Sequence, residues 1–249
     1  MDEGPVHPVR ALWAVPRSAS TAFERMVIER GDHHVLDEPF SAAYYHGPER
    51  RSPRYPVSEP SATVARIVAD VDRAARREPV FVKDMAYHPG PELDRALSSS
   101  WCHSFLVRDP RWSIPSMARI WPDLTEEEAG FTALARAVDR VPEAGGDPVV
   151  IDSDDLCRDP AGVVEAWCAA MDLDPDPTAL GWEPGMRPEW ERWRDWYGAS
   201  AESTGFAPLR AGGPPTVDDP RLRDLIQASL PLYAELAANC VSPRSVRPR

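Results

Sequence analysis

An apolar segment near the start of the chain runs directly into a turn of small hydroxyl residues. Residues 11–25 read Ala-Leu-Trp-Ala-Val-Pro-Arg-Ser-Ala-Ser-Thr-Ala-Phe-Glu-Arg, which predicts a strand over 9–15 and a helix over 21–29. Thr21 and Glu24 have the spacing of a capping box. Such a turn aims backbone N–H groups and the positive end of the helix dipole at one point, an arrangement that suits a phosphate or sulfate.

The side chains of this turn suit an anion as well. Ser18, Ser20 and Thr21 supply hydroxyl donors, and Arg17 supplies a fixed cation able to make two parallel hydrogen bonds. The turn is not a Walker A loop, because GxxxxGK[ST] does not occur in the sequence. Taken alone, the segment is equally consistent with an ordinary strand-to-helix connection in which Thr21 only caps the helix.

Short apolar runs alternate with longer amphipathic segments along the rest of the chain. Further strands are predicted over residues 34–37, 80–83, 104–107 and 149–151, and helices over 63–76, 110–120, 126–141, 160–171 and from 220 to about 239. This alternation predicts one α/β domain over 1–249, with a central, mainly parallel sheet flanked by helices. We assign 9–175 to the sheet and the anion-binding part, 176–241 to a mostly helical C-terminal part, and 242–249 to a tail.

Composition narrows the class of protein. The 249 residues are 43% hydrophobic, enough for one sizeable core, and the formal net charge of −12 argues against a nucleic-acid binder. The four cysteines form no CxxC pair, so zinc and thioredoxin-type sites have no support. The N-terminal residues are not those of a signal peptide and no run approaches 18 apolar residues, so we expect a cytoplasmic protein without a membrane partner.

A second strand-to-helix junction carries an arginine and a serine eight residues apart. Arg108 ends an apolar strand, Asp109 and a proline start a helix, and Ser116 follows within that helix. Arg108 would leave the sheet edge as a charged fork, and Ser116 would add a neutral donor. In the alternative interpretation Arg108 pairs with Asp109 or Asp84, and Ser116 is a surface hydroxyl.

The two junctions together resemble those of the sulfotransferases that use 3′-phosphoadenosine 5′-phosphosulfate (PAPS), among them the bacterial small-molecule type. The family's first motif, Pro-Lys/Arg-Ser-Gly-Ser/Thr-Thr, is matched by Pro16, Arg17, Ser18, Ser20 and Thr21. Ala19 replaces the usual glycine, while Arg108 and Ser116 match the pair that holds the 3′-phosphate. The resemblance implies a sulfotransferase or nucleotide-kinase-like fold. It also implies sulfuryl transfer from PAPS to a hydroxyl or amine of a small-molecule acceptor, with adenosine 3′,5′-bisphosphate (PAP) as product and no metal.

The same resemblance implies catalytic residues at the end of the strand over 80–83. Lys83, the single lysine of the sequence, matches the family's catalytic Lys-x-His, but Met85 stands where the histidine would be. Glu38 and His88 are the candidate replacements for the base, and we favour Glu38 because some bacterial relatives place a glutamate there. In the alternative, Glu38 pairs with an arginine and His88 is an exposed loop residue.

The C-terminal third carries two weaker features. Arg210-Ala-Gly-Gly is similar to a late loop that touches the 3′-phosphate in the family, yet a Gly-Gly-Pro-Pro loop is also ordinary turn chemistry. Trp190, Trp193 and Tyr197 share one helical face, either as core residues or as one wall of an apolar, aromatic acceptor pocket. Two rival functions stay open: a nucleotide-dependent phosphotransferase, and a non-catalytic relative that binds adenosine bisphosphate.

Overall fold

A parallel sheet forms the centre of the fold. The computed structural model describes residues 7–97, 100–143, 146–207 and 212–241. Within them the strands are β1 Val9–Ala14, β2 His34–Asp37, β3 Val80–Met85, β4 Trp101–Val107 and β5 Val149–Asp152. They pair in the order β2-β3-β1-β4-β5, every pair parallel. The predicted strands and the predicted parallel sheet are confirmed.

Helices connect successive strands and complete the C-terminal region. In the described residues they are α1 Ser20–Arg30, α2 Val64–Ala74, α3 Leu93–Ala96, α4 Pro110–Ala118, α5 Glu126–Ala129, α6 Phe131–Glu143, α7 Ser153–Arg158, α8 Pro160–Ala170, α9 Gly198–Ala201 and α10 Pro220–Ala238. The single helix predicted over 126–141 is wrong, because Gly130 takes a left-handed φ of 83° and ends α5. The predicted tail, 242–249, lies outside the described residues.

The first turn of α1 differs from the capping box predicted from the sequence. The helix begins at Ser20, and Ala19 precedes it with a left-handed φ of 67° and no side-chain cap. Glu24 does not fold back onto the helix start. It is fully buried and accepts a hydrogen bond from Trp190 Nε1 at 3.1 Å. The capping-box prediction for Thr21 and Glu24 is therefore wrong, because the glutamate is buried in a tertiary contact with Trp190.

Two apolar layers bury the sheet on both faces. Alternate residues of β1 enter opposite layers, so Trp13 packs in one and Leu12 in the other. The first layer is completed by α2, α4, α6 and α10, and the second by α1, α8 and aromatic residues from the C-terminal segment. The carboxyl ends of the strands are left to form one edge, where ligands bind in open α/β folds. None of the described helices is long and apolar enough to cross a membrane.

The C-terminal aromatic stripe is regular but not α-helical. Pro188–Trp196 is a 3₁₀ segment interrupted at Trp193, whose φ of −116° lies outside the helical region. Trp190, Trp193 and Tyr197 are all buried in the second apolar layer. All three therefore pack in the same apolar layer, although the segment that carries the two tryptophans is a 3₁₀ helix and not the α-helix expected.

Candidate active site

A cavity of about 310 Å³ opens at the carboxyl edge of the sheet, within the size range of small-molecule pockets. Its lining includes the turn over residues 16–22 after β1, Glu38 after β2, Met85 at the end of β3 and Arg108 after β4. Residues of the C-terminal aromatic segment close the other side. Because four parallel strands end here, side chains far apart in the sequence meet in one place.

The turn between β1 and α1 has an unusual backbone conformation. Arg17 and Ala19 both have left-handed φ values, 63° and 67°. The Ser18 hydroxyl is buried and donates to Val15 O at 2.7 Å, so this side chain holds the turn. The N–H groups of the first turn of α1 have no acceptor within the helix and are available to an anion.

Ala19 holds the left-handed conformation where the family motif has glycine. For an L-residue this conformation costs roughly 1–2 kcal/mol, whereas glycine adopts it freely but loses more entropy on folding. We therefore expect Ala19→Gly to raise the free energy of unfolding by about 0.5 kcal/mol in a urea titration. Ala228→Gly, in the exposed middle of α10, should lower it by about 1 kcal/mol. Equal losses in both variants would contradict this account of the turn.

Two guanidinium groups lie beside the turn without a carboxylate partner among the described residues. Arg108 Nη1 donates to Arg17 O at 2.7 Å, and Arg17 Nε donates to Ser116 Oγ at 3.2 Å. Arg108 Nε is buried and has no hydrogen-bond partner in the described part of the chain. Burial, and then the positive charges of Arg108 and Arg119, lower the pKa of Arg17, while burial lowers the pKa of Arg108.

The alternative in which Arg108 pairs with an aspartate does not occur in the structure. Asp109 pairs with Arg111, with Nη2 and Oδ2 2.5 Å apart, and also accepts from the Arg111 backbone N–H as the cap of α4. Asp84 accepts from Phe40 N at 2.6 Å. Arg17, Arg108 and Ser116, predicted from two separate motifs, are thus joined by hydrogen bonds. Arg210, the third proposed contact to the 3′-phosphate, lies outside the described residues.

Lys83 does not reach the cavity. Its side chain is fully buried, and Nζ lies 2.5 Å from Asp37 Oδ1, 2.8 Å from Glu38 Oε1 and 3.8 Å from Glu24 Oε2. Burial lowers the pKa of this ammonium, but the surrounding carboxylates outweigh burial and raise it well above its usual value. The resemblance implies a catalytic Lys83 at the end of this strand, and the structure corrects its position: the ammonium lies among carboxylates of α1 and the end of β2, outside the cavity lining.

Glu38 lines the cavity and is held by Lys83 rather than by an arginine. It has a left-handed φ of 46° directly after β2, a conformation that costs energy and is concentrated at functional sites. Its Oε1 also faces the Tyr197 hydroxyl at 3.1 Å. Burial raises the pKa of the Glu38 carboxyl, but the Lys83 ammonium outweighs it, so the pKa lies below its usual value.

His88 also lines the cavity, but it is buried rather than exposed. Its Nδ1 lies 2.5 Å from Asp84 Oδ1, and its Nε2 is buried without a hydrogen-bond partner among the described residues. The rings of Tyr44, Tyr45 and Tyr87 surround it, with centroids 4.5 to 5.3 Å away. The imidazole is therefore oriented by a carboxylate and screened by aromatic rings. Glu38 and His88, predicted from two different strand ends, do meet at one cavity.

An aromatic wall faces these two residues. It consists of Tyr45, Tyr87, Trp121, Trp193 and Trp196, all of which line the cavity. Ring contacts join Tyr45 to Trp121 at 5.9 Å and Trp121 to Trp196 at 4.8 Å between centroids, and the Tyr87 hydroxyl lies 3.0 Å from the Tyr45 hydroxyl. Sequence reasoning missed Tyr45 and Trp121, since no local pattern links residues that lie so far apart in the chain. In the described residues no group of three or more His, Cys, Asp or Glu is arranged to hold a metal ion.

Comparison with known proteins adds independent support for the fold and the family. The profile of a family described as "Sulfotransferase domain" matches residues 9–240. Two Arabidopsis thaliana relatives, branched-chain-amino-acid aminotransferase-like proteins 2 and 1, are 30% and 29% identical over 227 residues, 89% of this chain. The chain spans only 40% of the length of each of these relatives.

Two solved structures share the fold. The sulfotransferase domain of the Synechococcus PCC 7002 olefin synthase has a TM-score of 0.57 at 16% identity, covering 92% of this chain and 96% of that one. The sulfotransferase domain of the curacin biosynthetic pathway has a TM-score of 0.56 at 15% identity, covering 95% and 99%. The family predicted from the two strand-to-helix junctions is confirmed, and the chain belongs to the sulfotransferase domain family.

Proposed function

We propose that this chain transfers a sulfuryl group from PAPS to the hydroxyl of a neutral small molecule with an aromatic body. The observation that carries the proposal is the pair of guanidinium groups, Arg17 and Arg108, beside the N-terminus of α1. Neither has a carboxylate partner in the described residues, although the chain as a whole is strongly acidic. Cations at partly buried positions are usually matched by an anion, so this pair fits an anionic ligand.

The residues at the turn fit the donor's two anionic ends. The N–H groups at the start of α1, with Arg17, Ser20 and Thr21, would hold the 5′-phosphosulfate. Arg108, through its unpartnered Nε, and Ser116 would hold the 3′-phosphate, and Arg210 remains a proposed further contact. When bound, PAPS supplies a sulfuryl group that passes to the acceptor oxygen as its bond to the 5′-phosphate breaks, leaving the electron pair on that phosphate.

The proton of the acceptor hydroxyl has to be taken up by a group at the cavity. Glu38 is the base that we favour, because its carboxyl remains partly exposed to the cavity while its Oε1 is fixed by Lys83 and Tyr197. His88 is the second candidate, since Asp84 orients its ring in the manner of a catalytic dyad. Its Nε2 is covered in the structure, so it would act only after Tyr44, Tyr45 or Tyr87 moves.

The aromatic wall indicates the body of the acceptor. Trp121, Trp193 and Trp196 offer flat apolar faces for stacking, an arrangement that favours a planar ring. Among the described residues, the charged side chains that line the cavity are Arg17, Arg108 and Glu38, and Lys83 already neutralises Glu38. In that part of the chain a charged acceptor would find no free counter-ion near the wall, which favours a neutral phenol or aromatic alcohol.

The plant relatives have aminotransferase-like names, but the single lysine of this chain is not placed to do aminotransferase chemistry. Pyridoxal-dependent aminotransferases bind their cofactor as a Schiff base on a lysine amine. Lys83 is the single lysine here, and Asp37 and Glu38 hold it as a buried ammonium with a raised pKa. An ammonium in that position is not a nucleophile, and the sulfotransferase assignment is the one supported by the site.

A radiolabel transfer assay tests the proposed function. The purified chain is incubated with PAPS labelled at sulfur and a panel of neutral phenols, aromatic amines, carboxylated phenols and aliphatic alcohols. We expect labelled product from the neutral phenols, at rates at least tenfold above the charged or aliphatic acceptors. Binding of PAP without transfer to any acceptor would favour the non-catalytic relative. Phosphate transfer from labelled ATP, with none from PAPS, would favour a phosphotransferase.

A further inference from the structure

A closed cluster of charged groups lies directly beneath Glu38. We define the Lys83 cluster as Glu24, Asp37, Glu38, Lys83 and Tyr197. The Tyr197 hydroxyl lies 3.0 Å from Asp37 Oδ1 and 3.1 Å from Glu38 Oε1, and it accepts a hydrogen bond from Lys83 Nζ at 2.9 Å. Only Glu38 and Tyr197 line the cavity, so the other members are reached from it through them.

The cluster holds more acid than one ammonium can neutralise. Three carboxyl groups surround Lys83, and full ionisation would leave a net charge of −2 in a buried site. Burial, with the nearby charge of Asp37, raises the pKa of Glu24 well above its usual value. Burial also raises the pKa of Asp37 to about 7, against the opposing effect of Lys83. Burial thus favours the neutral form of Glu24, the Lys83 ammonium favours the charged form of Glu38, and Asp37, with a pKa of about 7, is the member placed to exchange a proton near neutral pH.

The relative proton affinities pose a problem for Glu38 acting alone. A carboxylate whose pKa is held low is a weak base and would not retain a proton taken from an alcohol. Asp37 has the higher proton affinity, but no oxygen of Asp37 lines the cavity. The Tyr197 hydroxyl is within hydrogen-bond distance of both carboxylates and is the only described group, besides Lys83, that contacts both.

We propose that Asp37 is the final proton acceptor of the transfer reaction and that the Tyr197 hydroxyl carries the proton to it from Glu38. The inference rests on the proposed function, and the proton and the electron pair move as follows. The acceptor oxygen forms its bond to sulfur and gives its proton to Glu38. Glu38 passes a proton to the Tyr197 oxygen as the Tyr197 hydroxyl gives its own to Asp37 Oδ1. The electron pair of the broken S–O bond stays on the 5′-phosphate of PAP.

Three other titratable groups, Glu24, Lys83 and His88, surround the residues of the relay. Glu24 projects from α1 and accepts a hydrogen bond from Trp190 Nε1, and burial raises its pKa, which favours its neutral form. Lys83 from β3 donates to Glu38 Oε1 and Tyr197 and pairs with Asp37, which makes it a positioning residue for the relay. His88 lies near Glu38 on the cavity side and also lowers the pKa of Glu38.

Two variants test the relay: Asp37→Asn and Tyr197→Phe, each nearly isosteric. The wild-type kcat should fall as pH falls through about 7, because a protonated Asp37 cannot accept. In both variants we expect kcat to drop at least tenfold and this acid limb to disappear, with PAP affinity and the acceptor KM within twofold of wild type. Tyr233→Phe is the matched control, because it also removes a hydroxyl bonded to a carboxylate, Asp152, away from the cavity.

The outcomes separate the relay from the proposed function. Wild-type turnover that persists unchanged in both variants, with the same acid limb, overturns the relay alone. Absence of sulfated product from the wild type overturns both proposals. If either variant fails to fold, single-turnover rates of the wild-type chain in H₂O–D₂O mixtures decide the matter. A curved plot against deuterium fraction is expected when several protons move together, and a straight line overturns the relay.

Discussion

Replacing Arg108 with alanine should weaken the binding of PAP by about 100-fold, or about 2.7 kcal/mol. The Arg108 guanidinium is partly buried, its Nε has no hydrogen-bond partner, and it forms no salt bridge among the described residues, although the charges of Asp154 and Asp109 act on it from a distance. A charge-assisted hydrogen bond from such a group contributes about 1.5–3 kcal/mol, and two parallel bonds to one phosphate contribute more. Isothermal titration calorimetry at fixed ionic strength measures the change.

The comparison needs variants that separate charge from fold. Arg108→Lys keeps the charge but loses the planar fork, so it should recover only part of the affinity. Arg66→Ala removes an exposed arginine on α2 that pairs with Asp70, and it should leave binding unchanged. PAP affinity within threefold of wild type in Arg108→Ala would contradict the assignment of the 3′-phosphate to this residue.

Replacing Lys83 with methionine should lower the free energy of unfolding by about 3–5 kcal/mol, the cost of leaving buried charge unpaired. The substitution keeps most of the side-chain volume but removes the one ammonium that faces Glu24, Asp37 and Glu38. Urea titration followed by circular dichroism measures the loss. A variant that unfolds at the wild-type midpoint would show that the cluster contributes little to the fold.

A second substitution distinguishes unpaired charge from poor packing. Adding Asp37→Asn to Lys83→Met removes one of the uncompensated carboxyl groups, so at least about 1 kcal/mol of the lost stability should return. If the loss came from packing alone, the double variant would be less stable than Lys83→Met. Arg66→Met, on the exposed face of α2, should change the unfolding free energy by less than about 0.5 kcal/mol.

Much of the fold follows from local sequence patterns. The apolar runs of β1 to β5 are short, bounded by turn residues and separated by amphipathic segments, and this pattern specifies a parallel sheet with little ambiguity. The helix break at Gly130 and the role of Glu24 were not foreseen. Both depend on tertiary context: a glycine that ends one helix as the next begins, and a glutamate drawn into a buried cluster.

The same distinction applies to the candidate site: residues with a local sequence signal could be predicted, and residues that depend on tertiary contacts could not. Arg17, Arg108 and Ser116 could be predicted because each lies at a strand-to-helix junction, and parallel strands bring such junctions to one edge. The proposed relay between Asp37 and Tyr197 could not be predicted from the sequence, because these two hydrogen-bonded residues are separated by most of the chain. The burial of Lys83 did have a signal. The period of two along β3 places it on the same face as Phe81, a core residue.

Charge distribution reconciles an acidic chain with an anionic ligand. The net charge of −12 is a sum over the whole chain, whereas Arg108 and Arg119 lie close enough to Arg17 to lower its pKa, together with burial. Lys83 does not add to this positive region, since the buried carboxylates of Asp37 and Glu38 neutralise its charge. In our proposal the arginines therefore supply the positive charge for the donor, and the Lys83 cluster takes up the proton.

A crystal structure of the chain with bound PAP tests the central claim most directly. The measurement is the position of the two phosphates relative to the two strand-to-helix junctions. We predict the 5′-phosphate against the N–H groups of Ser20 and Thr21, and the 3′-phosphate within hydrogen-bond distance of Arg108 Nε and Ser116 Oγ. Density for PAP elsewhere on the chain, or a complex in which Arg108 touches no phosphate, would contradict the account.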